Sequence, residues 1–188
     1  MTIETTQRRI ARQGGAVRAA GLVLGGSLLI AAAAQVSVGW PVPMSLQTLA
    51  VLVVGMSLGA RLGALAVVAY LAEGAMGLPV FANGMSAPAL AGPTAGFLFG
   101  FVGMAYLAGL AADMGLARRL VPAALCAAAI SLLLYGPGLA WPALVMGKTL
   151  PELWGGWMAP FLLGDAIKAV LAAMIVCGGS ALLGRLRG

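Results

Sequence analysis

Long apolar runs separated by short clusters of glycine, proline and arginine organise this chain. The runs cover residues 19–38, 44–58, 64–76, 93–112, 120–135 and 160–185. A membrane-spanning helix takes about 20 apolar residues, so six such helices nearly exhaust a chain of 188. The pattern predicts an all-α integral membrane protein: a single membrane domain over 1–188, in which residues 1–18 form a basic segment and 19–185 a six-helix bundle. The run at 44–58 is short, which predicts tilt, re-entry or local thinning of the bilayer.

The breaks are chemically distinct. Residues 39–43 hold two prolines, which remove backbone donors and impose extended geometry. Residues 59–63 separate the second and third runs. The stretch 77–92 contains Pro79, Asn83, Gly84 and Pro88, too punctuated for a helix and too apolar for a solvated loop, and is read as a structured loop. Pro93 is placed in the first turn of the fourth span, and 113–119 form a charged turn. Residues 136–142 are expected to end the fifth span, and 143–159 to form a short interfacial helix and turn. The alanine run 31–34 imitates a signal-cleavage site, but the later spans and the charge pattern favour retention of the first helix.

Composition agrees. Hydrophobic residues make up 62% of the chain, charged residues 9%, and the mean hydropathy is +1.03, which excludes an ordinary soluble domain. The net charge of +6 does not point to nucleic acid, because the basic residues sit at segment ends rather than on one polar face. With Arg8, Arg9, Arg12, Arg18, Arg61, Arg118, Arg119, Arg185 and Arg187 on one side and Lys148 alone on the other, the positive-inside rule predicts cytoplasmic N- and C-termini. Trp40, Trp141, Trp154 and Trp157 then share the outer side, as an interfacial belt or as a lid over a cavity. Cys126 and Cys177 lie inside apolar runs and imply no disulfide framework.

The ionisable residues narrow the function. A charge near the bilayer centre costs about 2.5 to 3.5 kcal/mol on insertion scales, so a charge inside a span is a functional hypothesis by default. Asp165 and Lys168 stand one helical turn apart near the start of the last span. They form either a ligand site or a neutralised pair joining two helices. Gln47, Glu73 and Asn83 fall on the same side of the bundle. Together these groups make a binding inventory suited to a small ligand with amide-like edges. Histidine is absent, which removes the commonest general base and metal ligand. A serine protease would lack its base, and Asp113 and Asp165 lie at opposite sides of the membrane, so no enzyme and no metal site are expected. Residues 147–149 imitate the end of a phosphate loop, but Pro142 stands where a glycine is needed and no strand precedes it. Ala16 and Ala20, like Gly21 and Gly25, have the small-xxx-small spacing that permits close helix approach, within the bundle or with a partner.

Several segments in order, Pro41-Val-Pro-Met-Ser-Leu-Gln-Thr-Leu49, Leu58-Gly-Ala-Arg-Leu-Gly63, Tyr70-Leu-Ala-Glu-Gly-Ala-Met-Gly-Leu-Pro-Val-Phe81, Gly92-Pro-Thr94 and Pro160-Phe-Leu-Leu-Gly-Asp-Ala-Ile-Lys168, resemble the BioY family of biotin-specific S components of energy-coupling factor (ECF) transporters. The resemblance covers about residues 38–172. It implies a multi-pass protein of the bacterial inner membrane that takes biotin from outside. Its partners would be a transmembrane coupling subunit and two ATPases, with no cofactor and no ATP site on this chain. It also implies biotin contacts at Asp165, Lys168, Asn83 and Gln47, an apolar contact at Tyr70 and a coupling-subunit contact at Ala16 and Ala20, and Glu73 is expected to bind the ligand with them. Ser45 stands where the family often has threonine, Glu73 where an apolar residue is common, and the loop after Asn83 has fewer glycines. Alternatives are an S component for another vitamin, an ion-coupled secondary transporter using Asp165, Lys168 and Glu73, and an assembly factor with no ligand.

Overall fold

The computed structural model describes residues 3–38 and 44–187, with side chains from 15–37 and 44–180. The chain is almost entirely helical: α1 (Ile3–Gln35), α2 (Gln47–Ala75), α3 (Ala95–Asp113), α4 (Leu120–Met146), a one-turn α5 (Leu150–Leu153) and α6 (Ala159–Arg187). Among the described residues, five helices are long and apolar enough to cross a membrane. A helix is the economical solution for such a sequence, because it satisfies every backbone polar group within the segment. The exposed surface is correspondingly apolar, with Leu28, Val121, Leu125, Leu133, Leu163 and Met174 all facing outward. Among the described residues the one pair of strands, β1 (Ser37–Val38) and β2 (Met44–Ser45), is antiparallel and lies between the end of α1 and the start of α2.

Helix α2 is not straight. Gly59 has φ 80° and ψ 172°, and the chain reverses there into two antiparallel arms, 47–58 and 60–75. Gln47 and Tyr70 would stand about 35 Å apart in a continuous helix, yet their side chains are hydrogen-bonded. The arms touch through glycines: a Cβ on Gly63 would lie 2.8 Å from the Cα of Gly55. Residues 59–63 therefore form no loop; one glycine makes the reversal and residue 60 already begins the next arm. Asp113 secures it, accepting the Ala60 N–H at Oδ2 (3.1 Å). Gly109 of α3 lies directly against the backbone of the turn, which only a residue without a side chain permits.

Helix α4 corrects the expected fifth span. It does not stop near residue 136 but continues through Pro137 and Pro142 to Met146. Proline removes one helical hydrogen bond, and neighbouring helices make this tolerable in a bundle. Here Gly96 and Gly100 of α3 present flat backbone to Pro137. Gly147, at φ 64°, finally ends the helix, and the Pro142 carbonyl accepts from Lys148 N–H. The expected interfacial helix contracts to α5, opened by a Thr149–Glu152 capping box. A π-helical turn, Trp154–Met158, leads from it into α6. Pro93 lies just outside α3, whose N-cap is Thr94. The stretch between α2 and α3 is structured as expected, with 3-10 turns at Ala82–Gly84 and Ala87–Leu90.

The core runs between α2, α3, α4 and α6 and includes Val51, Leu52, Val67, Phe101, Ala105 and Ala169. Helix α1 packs mainly on α2 and is the least buried of the long helices.

Candidate functional site

At the end of the bundle opposite the Gly59 turn, the first turn of α2, the 81–94 loop, the start of α3, the middle of α4 and the first turns of α6 enclose a cavity. Its empty volume, counting the part open to solvent, is about 900 Å³. Phe97, Leu98, Phe101, Leu134, Trp157 and Phe161 give it apolar walls.

Asp165 and Lys168 line this cavity and are 9% and 8% exposed, so each charge depends on its partners. Lys168 Nζ donates to Asp165 Oδ1 (3.1 Å). Tyr135 Oη, from α4, donates to Oδ2 (2.6 Å), and Thr48 Oγ1 lies 3.5 Å from Oδ1. The ammonium has three donors and spends one on Asp165.

A second polar chain starts across the cavity. Ser45 Oγ donates to Gln47 Oε1 (2.8 Å), and Gln47 Nε2 donates to Tyr70 Oη (2.6 Å). Tyr70 is fully buried behind Gln47, with its ring edge-on to Phe81 at 5.1 Å, and does not line the cavity. Gln47 thus faces the cavity while Tyr70 anchors it from behind.

The loop over the cavity is tied to the end of α1. Phe81 seats it, with its ring against Gly74, where a Cβ could not fit. Asn83 lines the cavity at φ 59°, the sole non-glycine with positive φ among the described residues. Asn83 Oδ1 accepts from Ser37 Oγ (2.8 Å), which leaves the NH₂ group open. Gln35 Nε2 lies 3.3–3.4 Å from the carbonyls of Pro79, Val80 and Phe81. Loop and helix end are therefore clasped by two polar side chains, Gln35 at the end of α1 and Ser37 just beyond it.

The structure brings Asp165, Lys168, Gln47 and Asn83 together and leaves Glu73 outside. Glu73 turns to α1, where Ser27 Oγ donates to its Oε1 (2.7 Å); its Oε2 is buried with no partner among the described residues. Ala16 and Ala20 lie on an exposed face of α1 beside Gly15, Gly21 and Gly25, where a Cβ would meet no atom of the described residues within 4 Å. Trp157 lines the cavity, Trp154 is exposed, Trp141 stands outside the cavity, and Trp40 lies outside the described residues. Sequence reasoning overlooked Tyr135 and Thr48. Reading Tyr135 as the last residue of a span concealed it; a hydroxyl facing a buried carboxylate is the signal that a continuous α4 would have exposed.

Fold and site together define a helical, multi-pass membrane protein with a lidded small-molecule cavity. The BioY family model matches residues 5–185, and the chain belongs to that family. It is 38% identical over 151 residues to the biotin transporter BioY of Rhizobium etli, covering 74% of this chain and 79% of that protein. It is 37% identical over 154 residues to the one of Rhodobacter capsulatus, covering 74% and 80%. The fold matches a crystal structure of the S-component for biotin from an ECF-type ABC transporter, with TM-score 0.72 and 24% identity over 100% of this chain and 94% of that one.

Proposed function

We propose that this chain is the biotin-binding S component of an ECF-type importer. It delivers biotin inward together with a transmembrane coupling subunit and a pair of ATPases on other chains. The observation that carries the reading is the buried Asp165–Lys168 pair opening into a lidded apolar cavity in a member of the BioY family. The ureido ring of biotin presents two N–H donors and one carbonyl. Asp165 accepts from the ring, a free Lys168 donor reaches the carbonyl, and the open amide of Asn83 and the amide of Gln47 pair further polar edges. Tyr70 acts through Gln47 rather than by contact. Phe97, Trp157 and Phe161 cover the thiophane ring and aliphatic chain. A site that pairs every buried polar edge rejects analogues lacking one.

In the bilayer the two arms of α2 each count as a span, which makes six spans within one membrane domain. At 1.5 Å per residue the arms reach only about 18 and 24 Å, so the bilayer thins or the arms tilt there. Arg61, Arg118 and Arg119 at the Gly59 end put that end and both termini in the cytoplasm of a bacterial cell, and the cavity opens outward. The exposed Ala16–Ala20 face of α1 is the surface for the coupling subunit. No catalytic step and no resident cofactor enter this scheme.

Equilibrium binding of labelled biotin to the purified chain, beside Asp165→Asn and Lys168→Ala, tests the reading. Binding lost in both variants supports it; folded wild-type protein that binds no biotin sinks it, and a thermal shift with a different vitamin would reassign the ligand. The Glu73 oxygen that has no partner among the described residues favours one rival, an ion-coupled carrier. Uptake that survives ATP depletion but collapses with an ionophore would establish that rival.

A further inference from the structure

Three donors reach Asp165, and they divide unequally between its oxygens. Lys168 and Thr48 both fall on Oδ1, whereas Tyr135 alone holds Oδ2, at 2.6 Å. An ionised carboxylate has about four lone-pair sites, two on each oxygen, so Oδ2 keeps one site free. The carboxylate torsion is broad and two-fold, and an anchor on one oxygen does not fix its plane. Anchors on both oxygens do. Tyr135 is well placed to supply the second anchor, because it is buried, comes from a different helix, and has its ring held edge-on by Phe97 at 6.0 Å and 89°.

We propose that Tyr135 is a positioning residue for ligand recognition: its hydroxyl fixes the Asp165 carboxylate so that the free lone pair of Oδ2 meets a ring N–H donor in the cavity. The proposal rests on the reading of Asp165 as the acceptor of the ureido ring. It adds a rule of specificity. The single Tyr135 proton is spent on Asp165, so the Tyr135–Oδ2 corner of the site offers only acceptors. A ligand that places an acceptor there finds no donor and leaves a buried polar edge unpaired.

The test is a cycle between protein and ligand. Biotin and an analogue N-methylated on the ureido ring are titrated against wild type and Tyr135→Phe, with the thermal unfolding of each protein recorded. Loss of a hydrogen bond to a charged group predicts about 10- to 100-fold weaker biotin binding in Tyr135→Phe, and less than about threefold change for the analogue whose N-methyl replaces the donor to Asp165. Equal weakening of both ligands would overturn the proposal, as it marks general loosening of the cavity, and so would unchanged biotin affinity. Should the variant fail to fold, fluorinated tyrosines at position 135 keep every atom of the hydroxyl while strengthening its donor. A biotin affinity that tracks fluorination while that of the analogue does not supports the proposal; the same response for both ligands, or none, overturns it. Wild-type protein that binds no biotin overturns the parent reading and this proposal together, whereas normal wild-type binding with a failed cycle overturns only the positioning role.

Discussion

The two ends of the bundle use the same chemical group for opposite purposes. At the cavity end, Asp165 gathers side-chain donors from α2, α4 and α6 and lines the cavity. At the other end, Asp113 accepts a backbone N–H and closes the reversal at Gly59. The first carboxylate gathers side chains at the cavity, and the second holds the backbone in place. Glu73 falls between these cases: it is partly buried near the cavity end, faces α1 and does not line the cavity. Burial of a charge therefore does not by itself mark a site. What marks one is convergence of donors from several helices on a cavity.

The largest effect that can break this contrast is at Asp165. Asp165→Asn should weaken biotin binding by at least about 100-fold in an equilibrium titration, since it removes the charge that Lys168 and Tyr135 address. Retained affinity would reduce Asp165 to a helix-joining residue. Gly59→Ala should act at the other end, lowering stability by about 1–3 kcal/mol, because it places a side chain at positive φ and against Asp113 Oδ1. Thermal unfolding should show that loss, while the folded protein keeps its biotin affinity within about threefold; a loss of affinity as large as that of Asp165→Asn would mean the two ends are one unit. Gln35→Ala releases the clasp on the loop. Its expected signature is biotin dissociation about fivefold faster, from roughly 1 kcal/mol of lost hydrogen bonding, with association little changed. Stopped-flow chase experiments measure it, and an unchanged off-rate would show that Phe81 and the Ser37–Asn83 bonds hold the loop without Gln35. Glu73→Gln should be the mildest, within about twofold in biotin affinity, because the amide still accepts from Ser27. A large loss there would return Glu73 to the site.

Much of this is legible in the residues. The structured loop around Asn83, the charged turn after α3 and the paired charges at the start of α6 all stand where the pattern of breaks and polar residues places them. The differences share one cause. Proline and glycine carry the weight of their behaviour in water when read along the chain, so 136–142 reads as an end and 59–63 as a break between runs. Inside the bundle, Gly96 and Gly100 make room for Pro137, and Asp113 makes a turn of a single glycine. Tyr135 is hidden by the first of these differences. Glu73 joins the expected site by its side of the bundle and Tyr70 by the family resemblance, and packing sends one to Ser27 and the other to Gln47.

By itself the sequence determined which segments are apolar enough to leave water and where along them the polar groups fall. Transfer out of water is a cost each residue carries whatever its neighbours, so composition and order suffice to read it. Only the tertiary structure decided which side chains meet. Helices α3 and α4 are apolar on every face, so no stripe announces which side turns inward. Contact with the neighbouring helices set their phase, and that phase brought Tyr135 to Asp165.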